Sequence, residues 1–211
     1  VVETDGRAPF LGEPTFSPDV WLARGYKPCA HYASAVADNI EQANAVVERS
    51  KALASAGWEA RGLDAHATFD DALQCFHRIS SAAFTKAYSY TPISLDHFRS
   101  MYGPIEGMLD PRMVLTAFNP NNEPVGFCFT IPDRLNPQSK QFIIKTLAVD
   151  PTCHQMGIGS WLTGEGHRLA HQLGWTNGGI HALMWTGSHS RTISRNAGTI
   201  FRRYALYEKA L

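Results

Sequence analysis

The sequence predicts an α+β fold built on a mixed sheet, and three observations carry that reading. From Trp58 onward, strand and helix patterns follow in the order β, α, α, β, β, β, α, β, a short α or loop, β. Two strand-like runs, Met113 to Phe118 and Val125 to Ile131, flank the turn residues Asn119-Pro120-Asn121-Asn122-Glu123, the pattern of a hairpin. A third run, Phe142 to Val149, passes through a glycine-bearing loop into a helix and on to an apolar run at Ile180 to Trp185. A right-handed crossover sets those last two strands side by side and parallel.

With 211 residues the chain can bury a full core, as one domain with an appendage or as two small domains. Its 44% hydrophobic and 18% charged content is that of a soluble globular protein. A net charge of zero argues against a nucleic-acid protein, which should show a basic excess. No apolar run reaches membrane-spanning length, and no charged-then-apolar leader opens the chain. The first residue is valine, as in a processed chain or a fragment. Cys29, Cys75, Cys128 and Cys153 are widely spaced without a CxxC pair, and read as free thiols in a reducing cytoplasm.

In chain order, Pro9, Gly12, Pro14 and Pro18 mark irregular structure. Pro18 to Arg24 reads as a short helix ending at Gly25, and Cys29 to Val36 as a strand. Asp38 with Glu41 is an acidic variant of a capping box. It opens a helix with Ile40, Ala43, Val47, Ser50 and Ala54 on a buried stripe and Glu41, Gln42, Glu48, Arg49 and Lys51 outside. Trp58 to Leu63 is a short strand. Thr68 caps a helix with Phe69, Leu73, Phe76 and Ile79 on its core face, and Ser94 caps a second, carrying Leu95 and Phe98. Thr199 to Lys209 fits strand or helix.

Residues 141 to 174 hold the most specific pattern. Asp150-Pro151 ends the strand, a polar loop runs through His154, Gln155, Met156, Gly157, Ile158 and Gly159, and Ile158, Trp161, Leu162, Leu169 and Leu173 make a helical stripe. Free amides and the dipole at a helix start favour an anion, and glycines let it approach the main chain. A P-loop would need Gly-Lys-Ser/Thr, whereas Gly159 is followed by Ser160 and Trp161. A dinucleotide loop would want glycine where Leu162 stands, and an acidic residue near Asn177-Gly178-Gly179. Leu147-Ala148-Val149-Asp150-Pro151 and Gly157-Ile158-Gly159, followed by Ser160, instead resemble the coenzyme A loop of the GNAT N-acetyltransferase superfamily. The pattern there is Leu-x-Val-x-Pro, then Arg/Gln-x-x-Gly-x-Gly/Ala; His154 stands at its first loop position, with Gln155 one residue late.

That resemblance implies a GNAT-like mixed sheet with helices on both faces, the acyl-CoA N-acyltransferase fold, over residues 58–211. Residues 1–57 would then be an N-terminal segment: an arm, or the tail of a preceding GNAT-like half in a tandem protein, with its connecting helix. The strand at Cys29 to Val36 would supply a terminal strand of the main sheet or a hairpin edge of that half, and Thr199 to Lys209 would be a strand.

The function implied is acetyl transfer from acetyl-CoA to a primary amine in a ternary complex; an inert coenzyme A-binding module is the alternative. Leu147 and Val149 would hold pantetheine by their main chains, with Ala148 between them. The phosphates would meet His154, Gln155, Met156, Gly157, Ile158, Gly159 and Ser160. The implied partners are a small-molecule or peptide amine acceptor, with no nucleic acid, no membrane and no metal, and a homodimer is left open. The frequent glutamate on the loop strand is absent, Lys145 takes a neighbouring place, and Asp133 or Glu106 would act as base through water. Tyr204, with Tyr207 as its rival, would protonate the departing thiolate. Ser188 lies where relatives carry an asparagine. Tyr88, Tyr90, Phe98 and Tyr102 suggest an aromatic pocket. His167 and His171 lie one helical turn apart with no third ligand, and read as solvated surface histidines.

Overall fold

The computed structural model describes residues 3–4, 17–88, 90–185 and 198–210. Eight strands in that range share one sheet: β1 (Glu3–Thr4), β2 (Lys27–Ala37), β3 (Glu59–Arg61), β4 (Val114–Phe118), β5 (Pro124–Pro132), β6 (Phe142–Val149), β7 (Gly179–Trp185) and β8 (Gly198–Glu208). They lie in the order β1-β8-β2-β7-β6-β5-β4-β3. Neighbours are antiparallel except β6 and β7, which run parallel, so the sheet is mixed as the sequence predicts.

The helices are α1 (Pro18–Leu22), α2 (Asn44–Ser55), α3 (Phe69–Ala83), α4 (Leu95–Tyr102) and α5 (Ile158–Gln172). Strand alternation divides the core between two faces. On one, Phe142 and Ile144 of β6 pack with Ile158, Trp161 and Leu162 of α5. On the other, Phe127, Phe129 and Ala148 pack with Leu73 and Phe76 of α3 and Phe98 of α4.

Local chemistry starts these elements where the sequence places them. The Thr68 hydroxyl accepts from Asp71 N at 3.1 Å and Ser94 from His97 N at 3.2 Å, each satisfying an otherwise orphan amide at a helix start. The Asn119 carboxamide oxygen accepts from Asn121 N and Glu123 N, which closes the β4–β5 turn. The segment read as a strand at Cys29 to Val36 is β2. It lies between β7 and β8 and pairs antiparallel with both, so it is an inner strand of this sheet. The same pairing makes a strand of residues 198–208, where side-chain pattern fits two states.

One start differs from expectation. Asp38 caps no helix: Asn39 takes a left-handed φ of 52°, Ile40–Gln42 make a 3-10 turn, and α2 begins at Asn44 without a side-chain cap. Ile40 is only 2% exposed. Burying that side chain contributes roughly 1.5–3 kcal/mol, more than the ~1 kcal/mol of a capping bond. Of the expected stripe only Ile40 is buried; within α2 the buried residue is Leu53, which lies off that stripe. The helix is an outer layer laid on α5, where Gly164 leaves space that Val46 occupies. The stretch Pro9–Pro14 lies outside the described residues.

Candidate functional site

Parallel pairing of β6 with β7 begins at Phe142–Gly179 and ends at Ile144–His181. The next residue, Lys145, is the extra one of a β-bulge: Thr130 on β5 faces Ile144, while Phe129 faces Thr146. A bulge bends its strand and raises the local twist, so β6 leaves β7 at this point. Residues 145–149 keep β5 on one side and, among the described residues, have no strand on the other.

The main chain there is turned outward at defined positions. Asp150 N donates to Val125 O at 2.7 Å, on the β5 side. Alternation turns Ala148 the same way and presents the amide and carbonyl groups of Leu147 and Val149 to the opening. Val149 O accepts from His154 Nε2 at 3.2 Å, so the imidazole sits at the outer end of this edge. The Ala148 side chain is buried on the α3 face.

The loop beyond folds back through Gln155 at φ 69° and Gly157 at φ 80°. Gly157 is the N-cap of α5 and supplies no capping side chain. The amides of Ile158, Gly159 and Ser160 begin the helix with no intrahelical acceptor, and no acidic residue occupies the first turn. Ile158 is buried and anchors the turn, whereas Met156 is 40% exposed. Arg49, reaching over from α2, lies on the glycine. A Cβ at Gly157 would stand 2.6 Å from Arg49 Nε and 2.9 Å from Cδ. Arg49 has no hydrogen bond or ion pair among the described residues. An anion here would meet three amides, the positive helix end and a guanidinium. Helical periodicity places Arg49 on the solvent side of α2, and only the tertiary approach to Gly157 gives it a role.

Other expected positions fall away from the opening. The Tyr204 hydroxyl is 2.9 Å from Ser34 Oγ, on β8, with β2 and β7 between that strand and β6. Tyr207 also lies on β8, opposite Pro28. Asp133, 1% exposed, accepts from Leu135 N, Asn136 N and Asn136 Nδ2, beyond the end of β5 that faces the start of β6. Glu106 is exposed on the 3-10 turn Gly103–Met108. Ser188 lies outside the described residues. Lys145 is at the opening itself: its Nζ donates to Tyr102 Oη at 2.6 Å and stands 4.5 Å from that ring's centroid.

His167 and His171 are not solvated. His167 is fully buried, its ring edge-on to Phe142 at 4.8 Å and its Nε2 3.5 Å from His181 Nε2. Glu41 Oε1 lies 3.0 Å from His171 Nδ1, and Glu41 Oε2 lies 3.9 Å from His167 Nδ1. Burial pushes the His167 pKa down to about 2, with His181 and His171 adding to the effect, and pushes His181 down to about 4. The histidines are covered because α5 lies between the sheet and the segment carrying Ile40 and α2, a second layer that one helical stripe cannot announce.

On the opposite face, a cavity of about 180 Å³ opens between α3, α4 and β5 and reaches Thr146. Tyr90, Phe98 and Tyr102 line it as expected. Tyr88 does not, and its hydroxyl instead donates to the Glu208 carboxylate at 3.2 Å.

No protein-family model matches the chain, and no curated protein matches its sequence. Solved structures do. A GCN5-related N-acetyltransferase from Sphaerobacter thermophilus aligns with TM-score 0.64 at 16% identity, over 90% of this chain and 54% of that one. A GCN5-related glucosamine N-acetyltransferase region of a fungal multi-domain GH3 β-N-acetylglucosaminidase gives 0.62 at 12%, over 90% and 22%. A tandem GNAT protein from the clavulanic acid biosynthesis pathway gives 0.55 at 12%, over 98% and 61%. The chain thus spans about half the length of the first of these. With the parallel pair that parts at a bulge and the glycine turn into α5, the likeness identifies the architecture: this chain has the GNAT fold, that of the GCN5-related N-acetyltransferases.

Proposed function

We propose that the chain is an acyl-CoA-dependent N-acyltransferase, with acetyl-CoA the donor, that acetylates a primary amine directly in a ternary complex. The observation that carries this reading is the opening in the sheet where β6 parts from β7. Among the described residues the outer edge of β6 is unpaired from Lys145 to Val149, and it leads straight to the start of α5, which has no side-chain cap.

The residues fit the group. Gly157 keeps a Cβ out of the cradle, and the amides of Ile158, Gly159 and Ser160 with Arg49 would hold the pyrophosphate. Leu147 and Val149 would pair with the pantetheine amides as a neighbouring strand would, once the His154 ring leaves Val149 O. Acetyl-CoA supplies an activated acyl carbon. An amide of β6 near the bulge would polarise its carbonyl oxygen. The amine nitrogen attacks that carbon, the C–N bond forms, the C–S bond breaks, and the amine's proton ends on sulfur. Cys128 is fully buried on β5 and its thiol is pushed up to about 11 by burial, which disfavours it as an acyl carrier.

A second reading, a coenzyme A-binding module with little catalysis, draws on the absence of a carboxylate from residues 142–149 and on the commitment of Asp133 to its own turn. Calorimetric titration with coenzyme A, followed by acetyl-CoA turnover against a panel of amines, separates the two. Binding with turnover supports the enzyme, binding alone supports the module, and absence of binding removes both.

A further inference from the structure

We infer that the cavity between α3, α4 and β5 seats the acceptor, and that it selects a primary amine adjoining a carbonyl or carboxylate oxygen on a body with one aromatic ring. The inference rests on the acyltransferase reading and adds the substrate class to it. The cavity's place comes first. Thr146, one of its lining residues, lies between the Lys145 bulge and Leu147, on the stretch of β6 that has lost its parallel neighbour. A molecule in the cavity would therefore reach the open edge of the sheet.

Size and lining set the body of the ligand. An apolar protein cavity of about 150 Å³ takes up benzene, and this one measures about 180 Å³. Phe76, Phe84, Phe98, Phe127, Phe129 and Tyr90 turn rings toward it. Phe76 and Phe127 are already stacked at 4.5 Å, so another ring would extend an existing cluster. No carboxylate is among the described lining residues. A polyamine or a lysine side chain would carry its charge in without a counter-charge, at a desolvation cost of several kcal/mol.

Lys145 sets the polar end. Its ammonium spends one N–H on Tyr102 Oη and is steadied over the Tyr102 and Phe129 rings at 4.5 and 5.9 Å. Its other two N–H groups are uncommitted among the described residues, and an oxygen beside the acceptor nitrogen would match them. A fixed positive charge there also disfavours the ammonium form of the incoming amine and leaves more of it as the neutral nucleophile.

The test is calorimetric binding of phenylalanine, a tripeptide with N-terminal phenylalanine, benzylamine and spermidine to the full chain, followed by acetyl-CoA turnover with each. Phenylalanine or the peptide should bind at least tenfold tighter than spermidine, and the stronger of the two identifies the source. Ser80→Leu fills the cavity from α3, where the Ser80 hydroxyl only bonds back to His77 O. It should weaken the aromatic acceptors at least tenfold and leave coenzyme A affinity within twofold. Lys145→Met removes the exposed ammonium together with its bond to Tyr102 Oη, and should weaken phenylalanine about fivefold and benzylamine less than twofold. Tighter binding of spermidine, or aromatic affinity unchanged by Ser80→Leu, overturns the cavity assignment. Equal losses for phenylalanine and benzylamine in Lys145→Met overturn the oxygen contact. Aromatic binding without transfer leaves the cavity assigned and removes the acyltransferase reading, while transfer to spermidine alone does the reverse.

Discussion

The two ends of β6 are built from neighbouring residues of one strand and behave as opposites. At its start, Phe142, Ile143 and Ile144 are paired on both sides, to β5 and to β7, and are buried. Packing there is close enough that a Cβ on Gly179 would come 2.5 Å from the Phe142 ring. From Lys145 the strand keeps one neighbour among the described residues and shows its other edge. One extra residue separates the two states. A sheet can thus make a binding edge by dropping a partner partway along, while the closed half holds the strand in place.

The largest effect should come from charging the far end of the open half. Gly159→Asp puts a carboxylate where the pyrophosphate would sit, and coenzyme A affinity should fall more than about a hundredfold through like-charge repulsion and lost approach. The fold should survive, because an acidic residue in the first turn complements the helix dipole. Coenzyme A binding that persists in a folded Gly159→Asp protein would place the anion elsewhere.

The closed half should answer to pH instead. His167 and His181 meet there, faced by Glu41 from the 3-10 turn, by His171 from α5 and by the Phe142 ring. Their folded pKa values lie below the unfolded value near 6.5, so below that pH the unfolded chain binds protons that the folded chain refuses. Stability is therefore intact above about pH 6.5 and falls as pH drops toward about 4 for His181, and on toward about 2 for His167. Each histidine contributes up to about 1.4 kcal/mol per pH unit, a tenfold change in the folding equilibrium. Urea midpoints at pH 7, 6 and 5 measure this, and a flat profile would mean that the rings are not held neutral. His181→Phe should flatten the slope.

Arg49 ties the open half to α2, the helix that covers α5. Arg49→Ala should weaken coenzyme A about fivefold, a charge-assisted contact discounted for an exposed side chain. The loss should shrink as salt is added. Equal affinity at low salt would reduce Arg49 to a cover over Gly157.

How much of this could be read in advance follows from what each signal needs. The hairpin, the caps at Thr68 and Ser94 and the turn into α5 are set by neighbours in sequence, and all stand where the residues put them. The Lys145 bulge was invisible: it is a mismatch of register between two strands, and no composition marks it. Arg49 and the buried histidines were missed for one reason. Both depend on α2 and Ile40 covering α5, and the local sign is Gly164, inside a helix that should avoid glycine and facing Val46 and Glu41. The place of β2 explains the rest, since an inserted strand carries β8 one position further from the opening.

That displacement yields the smallest effect. As general acid, Tyr204 would need its hydroxyl near the leaving sulfur, at the β6–β7 opening. It lies instead on β8, 2.9 Å from Ser34 Oγ, and Ser34 is fully buried on β2. Strands are spaced about 4.8 Å apart, so two intervening strands and one more spacing put the β8 backbone roughly 14 Å from that of β6, beyond the reach of a tyrosine. Tyr204→Phe should therefore change acetyl-CoA turnover less than about threefold, where loss of a general acid costs about a hundredfold or more. The hydroxyl's removal should register in stability by about 1 kcal/mol, because Ser34 loses a partner in a buried place. A large fall in kcat with unchanged coenzyme A affinity and unchanged stability would return the proton to Tyr204, and would require β2 to leave its place between β7 and β8 during the reaction.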